Sequence, residues 1–181
     1  MTRRLAALLW IVVAASLAAT GRVQAQSGSL EYPVKAAFLY KFGSFVTWPA
    51  PAFEAQGAPV VVCVLGDDPF GSQLDRLVSS ATVGGRPLTV RRLARVGPES
   101  GCHILYVGGS QAQPAAEALR AVAGVPVLTV TDEARGGARG AVHFVVRQNR
   151  VRFEIDPAAA ARNGLQVSSK LLNLALAVTS R

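Results

Sequence analysis

The sequence predicts an α/β fold: a mostly parallel sheet flanked by helices, finished by a C-terminal antiparallel β-hairpin and a terminal helix. Three observations predict it. Short apolar runs, "PVVVCVLG" (59–66), "CHILYVGG" (102–109) and "VPVLTVTD" (125–132), alternate with segments of helical length. That is the pattern of strands buried on both faces of a parallel sheet. Next, "AVHFVVRQNRVRFEID" (141–156) alternates apolar and polar residues about a polar Gln148-Asn149 turn, a hairpin signal. Finally, the chain has 181 residues and is 50% hydrophobic, the size of one domain and too apolar for a disordered chain.

Taken in order, "MTRRLAALLWIVVAASLAATGRVQAQ" opens with Arg3 and Arg4, runs apolar over 5–19 and reaches a small-residue site at Val23-Gln24-Ala25. That layout predicts a secretory signal peptide over 1–25. The run is shorter than the roughly twenty residues of a spanning helix. Residues 26–181 are expected to form a single α/β domain. The stretch "VKAAFLYKFGSFVTWP" (34–49) holds five of the chain's twelve aromatic side chains. It predicts a helix over 34–48 with a core stripe of Val34, Phe38, Phe42 and Phe45, widened by Leu39 and Val46. Lys35 and Lys41 fall on the edges of that stripe, and Tyr40 on the opposite face. Pro49 ends the helix.

"DDPFGSQLDRLVSS" (67–80) predicts a helix with Asp67 or Asp68 as N-cap and Pro69 in its first position. "PLTVRRL" (87–93) reads as a short strand. "SQAQPAAEALRAVAG" (110–124) reads as a helix between Ser110 and Gly124. The Gly-rich "EARGGARG" (133–140) leads into the hairpin, in which Val142, Phe144 and Val146 alternate with His143, Val145 and Arg147, placing His143 on the outward face. A short helix over 157–163 stops at Asn163-Gly164. "VSSKLLNLALAVTSR" closes the chain as a helix capped by Ser168 or Ser169 and apolar nearly all round. Such a helix is enclosed or covered by a partner.

Charge and cysteines narrow the function. Loss of Arg3, Arg4 and Arg22 with the leader lowers the formal charge from +8 to +5. The arginines are scattered, with no basic run interleaved with aromatics, so nucleic acid is not an expected partner. Cys63 and Cys102 are the only cysteines. An even count in an exported chain predicts one disulfide; a reactive Cys63 beside His103 is the competing reading. His103 and His143 have no Cys, Asp or Glu at ligand spacing. No phosphate-binding glycine motif or catalytic triad stands out, so neither a catalytic site nor a cofactor is expected. The loops "GDDPFG" and "VGGSQ" follow strands, where α/β proteins bind ligands.

Two of these segments carry a family resemblance. "VKAAFLYKFGSFVTWP" resembles the N-terminal signature of the YfiR family. "GGARGAVHFVVRQNRVRFEID" followed by "NGLQVSSKLLNLA" is similar to its C-terminal signature. The resemblance implies a periplasmic, non-catalytic α/β regulator. The best-known member binds the periplasmic part of an inner-membrane diguanylate cyclase and represses it. An outer-membrane lipoprotein releases that repression, so that cyclic di-GMP rises and biofilm forms. That member forms dimers. Cys63 and Cys102 sit like one of its disulfide pairs; a second pair has no counterpart in this chain. Other members stand beside other membrane sensors, so a different receptor is an alternative partner.

The expected partner-binding residues are Tyr40, Trp48 and Pro49, with exposed parts of 168–178 that include Leu171 and Leu172. The rival expectation is a small-molecule binding module feeding a membrane sensor kinase, its ligand held at the strand ends near 66–68 and 108–110.

Overall fold

The computed structural model describes residues 30–179; the expected leader, 1–25, lies outside the described residues. Helix α1 (Glu31–Lys41) comes first, tightens into a 3-10 turn (Phe42–Phe45) and passes into strand β1 (Val46–Thr47). Then follow β2 (Val60–Gly66), α2 (Ser72–Val78), β3 (Thr82–Val83), β4 (Arg86–Leu93), β5 (Ile104–Gly109), α3 (Ala115–Ala121) and β6 (Leu128–Asp132). The chain ends with β7 (Val142–Arg147), β8 (Arg150–Ile155), α4 (Pro157–Arg162), β9 (Gln166–Val167), α5 (Ser169–Leu174) and β10 (Ala177–Val178).

An eight-stranded sheet has the order β10-β8-β7-β6-β5-β2-β4-β3, and β1 and β9 form a separate two-stranded pair. Strands β4, β2, β5, β6 and β7 run parallel, as do β10 and β8. The antiparallel pairings in this sheet are β3 with β4 and β7 with β8. The α/β expectation with a C-terminal hairpin therefore holds. So does the hairpin turn: Gln148 and Asn149 both take positive φ, 51° and 57°, as a two-residue turn matched to strand twist requires.

Period two divides the core into two layers. Val62 and Val64 of β2, with Ile104 and Tyr106 of β5, face a larger cluster that contains Ala36, Leu39 and Phe42 from the N-terminal segment and Leu74 from α2. Cys63, Leu65, Leu105 and Val107 face a smaller cluster closed by Ala118 and Val122 at α3.

Local competition moves several boundaries. The helix expected over 34–48 instead spans Glu31–Lys41. Beyond it, Val46 and Thr47 pair with Val167 and Gln166, so strand pairing wins over helical periodicity. Val34, expected in the core stripe, is 40% exposed, whereas Lys35, expected at its edge, is fully buried. Asp68 does not cap a helix beginning at Pro69. Its Oδ1 accepts from the N–H of Phe70 (2.8 Å) and Gly71 (3.2 Å), and α2 starts only at Ser72.

The 110–124 helix contracts to Ala115–Ala121 behind Pro114, because the residue before a proline is driven out of the helical region. His143 is 4% exposed rather than outward-facing, since both faces of β7 are covered. Strand β3 was not expected; Gly84 and Gly85, with φ of 57° and 77°, turn it back onto β4. The last helix stops at Leu174. The chain then extends, Leu176 N donating to Phe153 O and Thr179 N to Ile155 O.

Candidate docking surface

Short pieces of structure position the expected partner-binding residues. Trp48 follows β1 and is 9% exposed. Its Nε1 donates to His103 O at 3.2 Å, and its ring stands edge-on to Phe53 and His103. Trp48 thus ties the segment after β1 to the start of β5. Pro49 and Tyr40 are half-buried, Tyr40 against the larger core cluster. Ser168 caps α5, its hydroxyl accepting from Leu171 N, and this turn drives Leu171 into the core at 2% exposure. Leu172 is half-buried.

The apolar side chains left open near the C-terminus are Leu174 (59%), Leu176 (42%) and Val178 (50%). They are exposed because a helix of six residues gives way to an extended backbone at Ala175 (ψ 147°). Residues 168–178 therefore present an apolar surface through their second half. Sequence periodicity missed Leu30 (70% exposed) and Val34. The signal was available in the helix start at Glu31, which puts Leu30 outside the helix and Val34 one turn on, at the solvent side.

A buried ionic cluster fixes α1 to the sheet. Lys35 Nζ lies 2.6 Å from Asp132 Oδ2, with both side chains fully buried, and 2.5 Å from Glu31 Oε1. Tyr106 donates its hydroxyl to the same Asp132 oxygen at 3.2 Å. Asp132 Oδ1 accepts from Ala134 N at 3.0 Å, which starts the turn after β6. Burial alone pulls the Lys35 ammonium down, but its bonds to Asp132 and Glu31 outweigh this and hold it above the ordinary lysine value. Burial, with the Asp132 charge beside it, pushes the Tyr106 phenol far upward. The pair is a structural rivet: the ammonium meets two carboxylates, and neither Lys35 nor Asp132 opens to solvent.

The strand ends at 66–68 and 108–110 lie where the sheet order changes direction, between β2 and β5. Doubly wound folds bind ligands in the crevice at that point. Here the two loops abut. A Cβ added at Gly108 would stand 2.6 Å from Asp67 O and 2.7 Å from Leu65 O, and one added at Gly66 would overlap Gly109 O. The two loops thus pack backbone to backbone at these glycines, close to where such a ligand would sit.

Cys63 and Cys102 are disulfide-bonded, with Cα atoms 5.8 Å apart, on the side of the smaller core cluster. Among the described residues no cysteine is free. His103, next to the bridge, accepts from Val61 N at Nδ1 (3.0 Å) and meets Ala52 O at Nε2 (3.0 Å). One nitrogen must accept and the other donate, so the ring is the neutral Nε2–H tautomer. Burial, aided by the Arg86 charge, pushes its pKa down. Among the described residues no three His, Cys, Asp or Glu side chains gather to hold a metal ion. Nor is any helix there long and apolar enough to cross a membrane.

Comparison with protein families assigns this arrangement. All of α1 but Glu31, the hairpin and the Ser168-capped α5 fall inside the stretch 32–176, which matches the family described as YfiR/HmsC-like. The chain therefore belongs to the YfiR/HmsC-like family.

Proposed function

We propose that this chain is an exported, non-catalytic repressor that docks on the periplasmic sensor domain of an inner-membrane diguanylate cyclase, lowering cyclic di-GMP and restraining biofilm formation. The observation that carries the reading is family membership over 32–176, a family of periplasmic regulators of diguanylate cyclases. Exposure of Leu174, Leu176 and Val178 supports a docking role, because contiguous apolar surface marks interaction sites. The proposed contact runs from half-buried Leu172 to Val178. Leu171, buried in the core, anchors the start of this stretch, while Tyr40 and Pro49 are half-buried and Trp48 is held by His103. Release by an outer-membrane lipoprotein and self-association of two copies extend the same proposal.

Repression works by linkage. The chain must bind the inactive cyclase more tightly than the active one; moving a two-state equilibrium from 1:99 to 99:1 takes about 10⁴-fold preference. The rival ligand site at 66–68 and 108–110 is disfavoured by the backbone contact between those loops. The test co-expresses the exported chain with an inner-membrane diguanylate cyclase that carries a periplasmic sensor domain and measures cyclic di-GMP. Wild type should lower the level several-fold, and a Leu174→Glu, Leu176→Glu variant of unchanged Tm should not. Equal cyclic di-GMP with and without the chain would refute the reading.

A further inference from the structure

We propose that the open half of the β8 edge receives an extended partner segment of alternating acidic and apolar residues as an added strand. This deepens the docking reading and rests on it. Arg147 and Arg150 close the hairpin as a directly opposed pair. Backbone groups alternate sides along a strand, so Arg150, Arg152 and Glu154 turn theirs toward β7, while Val151, Phe153 and Ile155 turn theirs away. Strand β10 meets only the far end of β8, opposite Glu154 and Ile155, where the carbonyls of Phe153 and Ile155 accept from Leu176 and Thr179. Val151 has no strand neighbour on that side among the described residues. An unpaired edge is a template for a partner's backbone.

Grooves on the two faces of this edge differ in character. One, of about 440 Å³, lies between α1 and β8; its lining is apolar at Leu30, Val34, Phe38, Val146 and Val151 and polar at Glu31, Asn149 and Arg150. The other, of about 450 Å³, is lined by Arg147, Gln148, Arg150, Arg152 and Leu176. Arg147 is paired with Glu133 at 2.9 Å. Arg150 and Arg152 are exposed and make no ion pair or hydrogen bond within the described residues. An added strand would send alternate side chains to opposite faces. Apolar residues would then fill the groove beside α1, and carboxylates would meet Arg150 and Arg152.

The test uses the isotopically labelled mature chain and an acetylated, amidated octapeptide of alternating glutamate and valine. The peptide should shift the Val151 and Phe153 amide resonances and slow their hydrogen exchange. A lysine–valine octapeptide should not. An Arg150→Glu, Arg152→Glu variant with unchanged Tm should bind the acidic peptide at least about tenfold more weakly. No response at these amides, or equal response to both peptides, overturns the proposal. Charge-dependent binding to phosphatidylglycerol vesicles without a response to the peptide also overturns it, assigning the arginines to a membrane surface. Because no cyclase is present, failure here leaves the repressor reading to its own assay; peptide binding without cyclase repression would instead break that reading and keep the edge site.

Discussion

Replacing Lys35 with methionine isolates the ion pair beneath α1. Methionine keeps most of the stem and removes the ammonium that sits 2.6 Å from Asp132 Oδ2. Asp132 would keep the Tyr106 hydroxyl and the Ala134 N–H but would hold a buried charge with no cation. Breaking one side of a buried pair costs about 3–5 kcal/mol, whereas replacing both sides with apolar groups is far less costly. Urea unfolding of the oxidised chain over residues 26–181 at pH 7 should therefore show a loss of about 3–5 kcal/mol for Lys35→Met and a fall in Tm of roughly 10 °C. The double variant Lys35→Met, Asp132→Leu leaves the Tyr106 hydroxyl without its acceptor, a cost of about 1–3 kcal/mol. It should still fall short of the sum of the single variants by about 2 kcal/mol or more. A loss under about 1 kcal/mol for the single variant, or strict additivity, would refute the rivet. Because the Lys35 pKa is raised on folding, this stabilisation should be whole below the ordinary lysine value and fade as pH rises through it.

Three further outcomes follow from the same geometry. The Cys63–Cys102 bridge spans a sequence separation of 39, so a Cys63→Ser, Cys102→Ser chain should lose about 4 kcal/mol by loop entropy, read from urea midpoints against the oxidised protein. The His103 pKa is lowered on folding, so the unfolded chain binds the extra proton first. Stability should be full above the ordinary histidine value and decline as pH falls below it, by at most about 1.4 kcal/mol per pH unit; His103→Gln should flatten that decline, leaving the share due to His143, which burial also lowers. Gln148 and Asn149 hold positive φ at a cost that glycine avoids. Changing them to Asn-Gly should raise stability by about 1 kcal/mol, measured as a shift in thermal midpoint.

Legibility followed the range of the forces. Strands β2, β5, β6 and the hairpin were readable because both the buried β-branched runs and the period-two pattern are local. The disulfide was readable from the even cysteine count together with the expected export. Boundaries failed where distant segments competed: β9 drew Val46 and Thr47 out of a helix, and β8 drew 176–179 out of another. Lys35 was misplaced because a helical wheel treats a lysine as edge material, and only the sheet shows that Asp132 waits beneath it. The apolar surface was legible as an excess of leucine over 168–178, but not which leucines would show. That depended on where a short helix breaks.

The loops carrying Gly66 and Gly108 interlock backbone to backbone at the reversal of the sheet. A side chain at either position would meet the backbone of the facing loop. Even an alanine at either position would therefore pry β2 and β5 apart at the centre of the sheet.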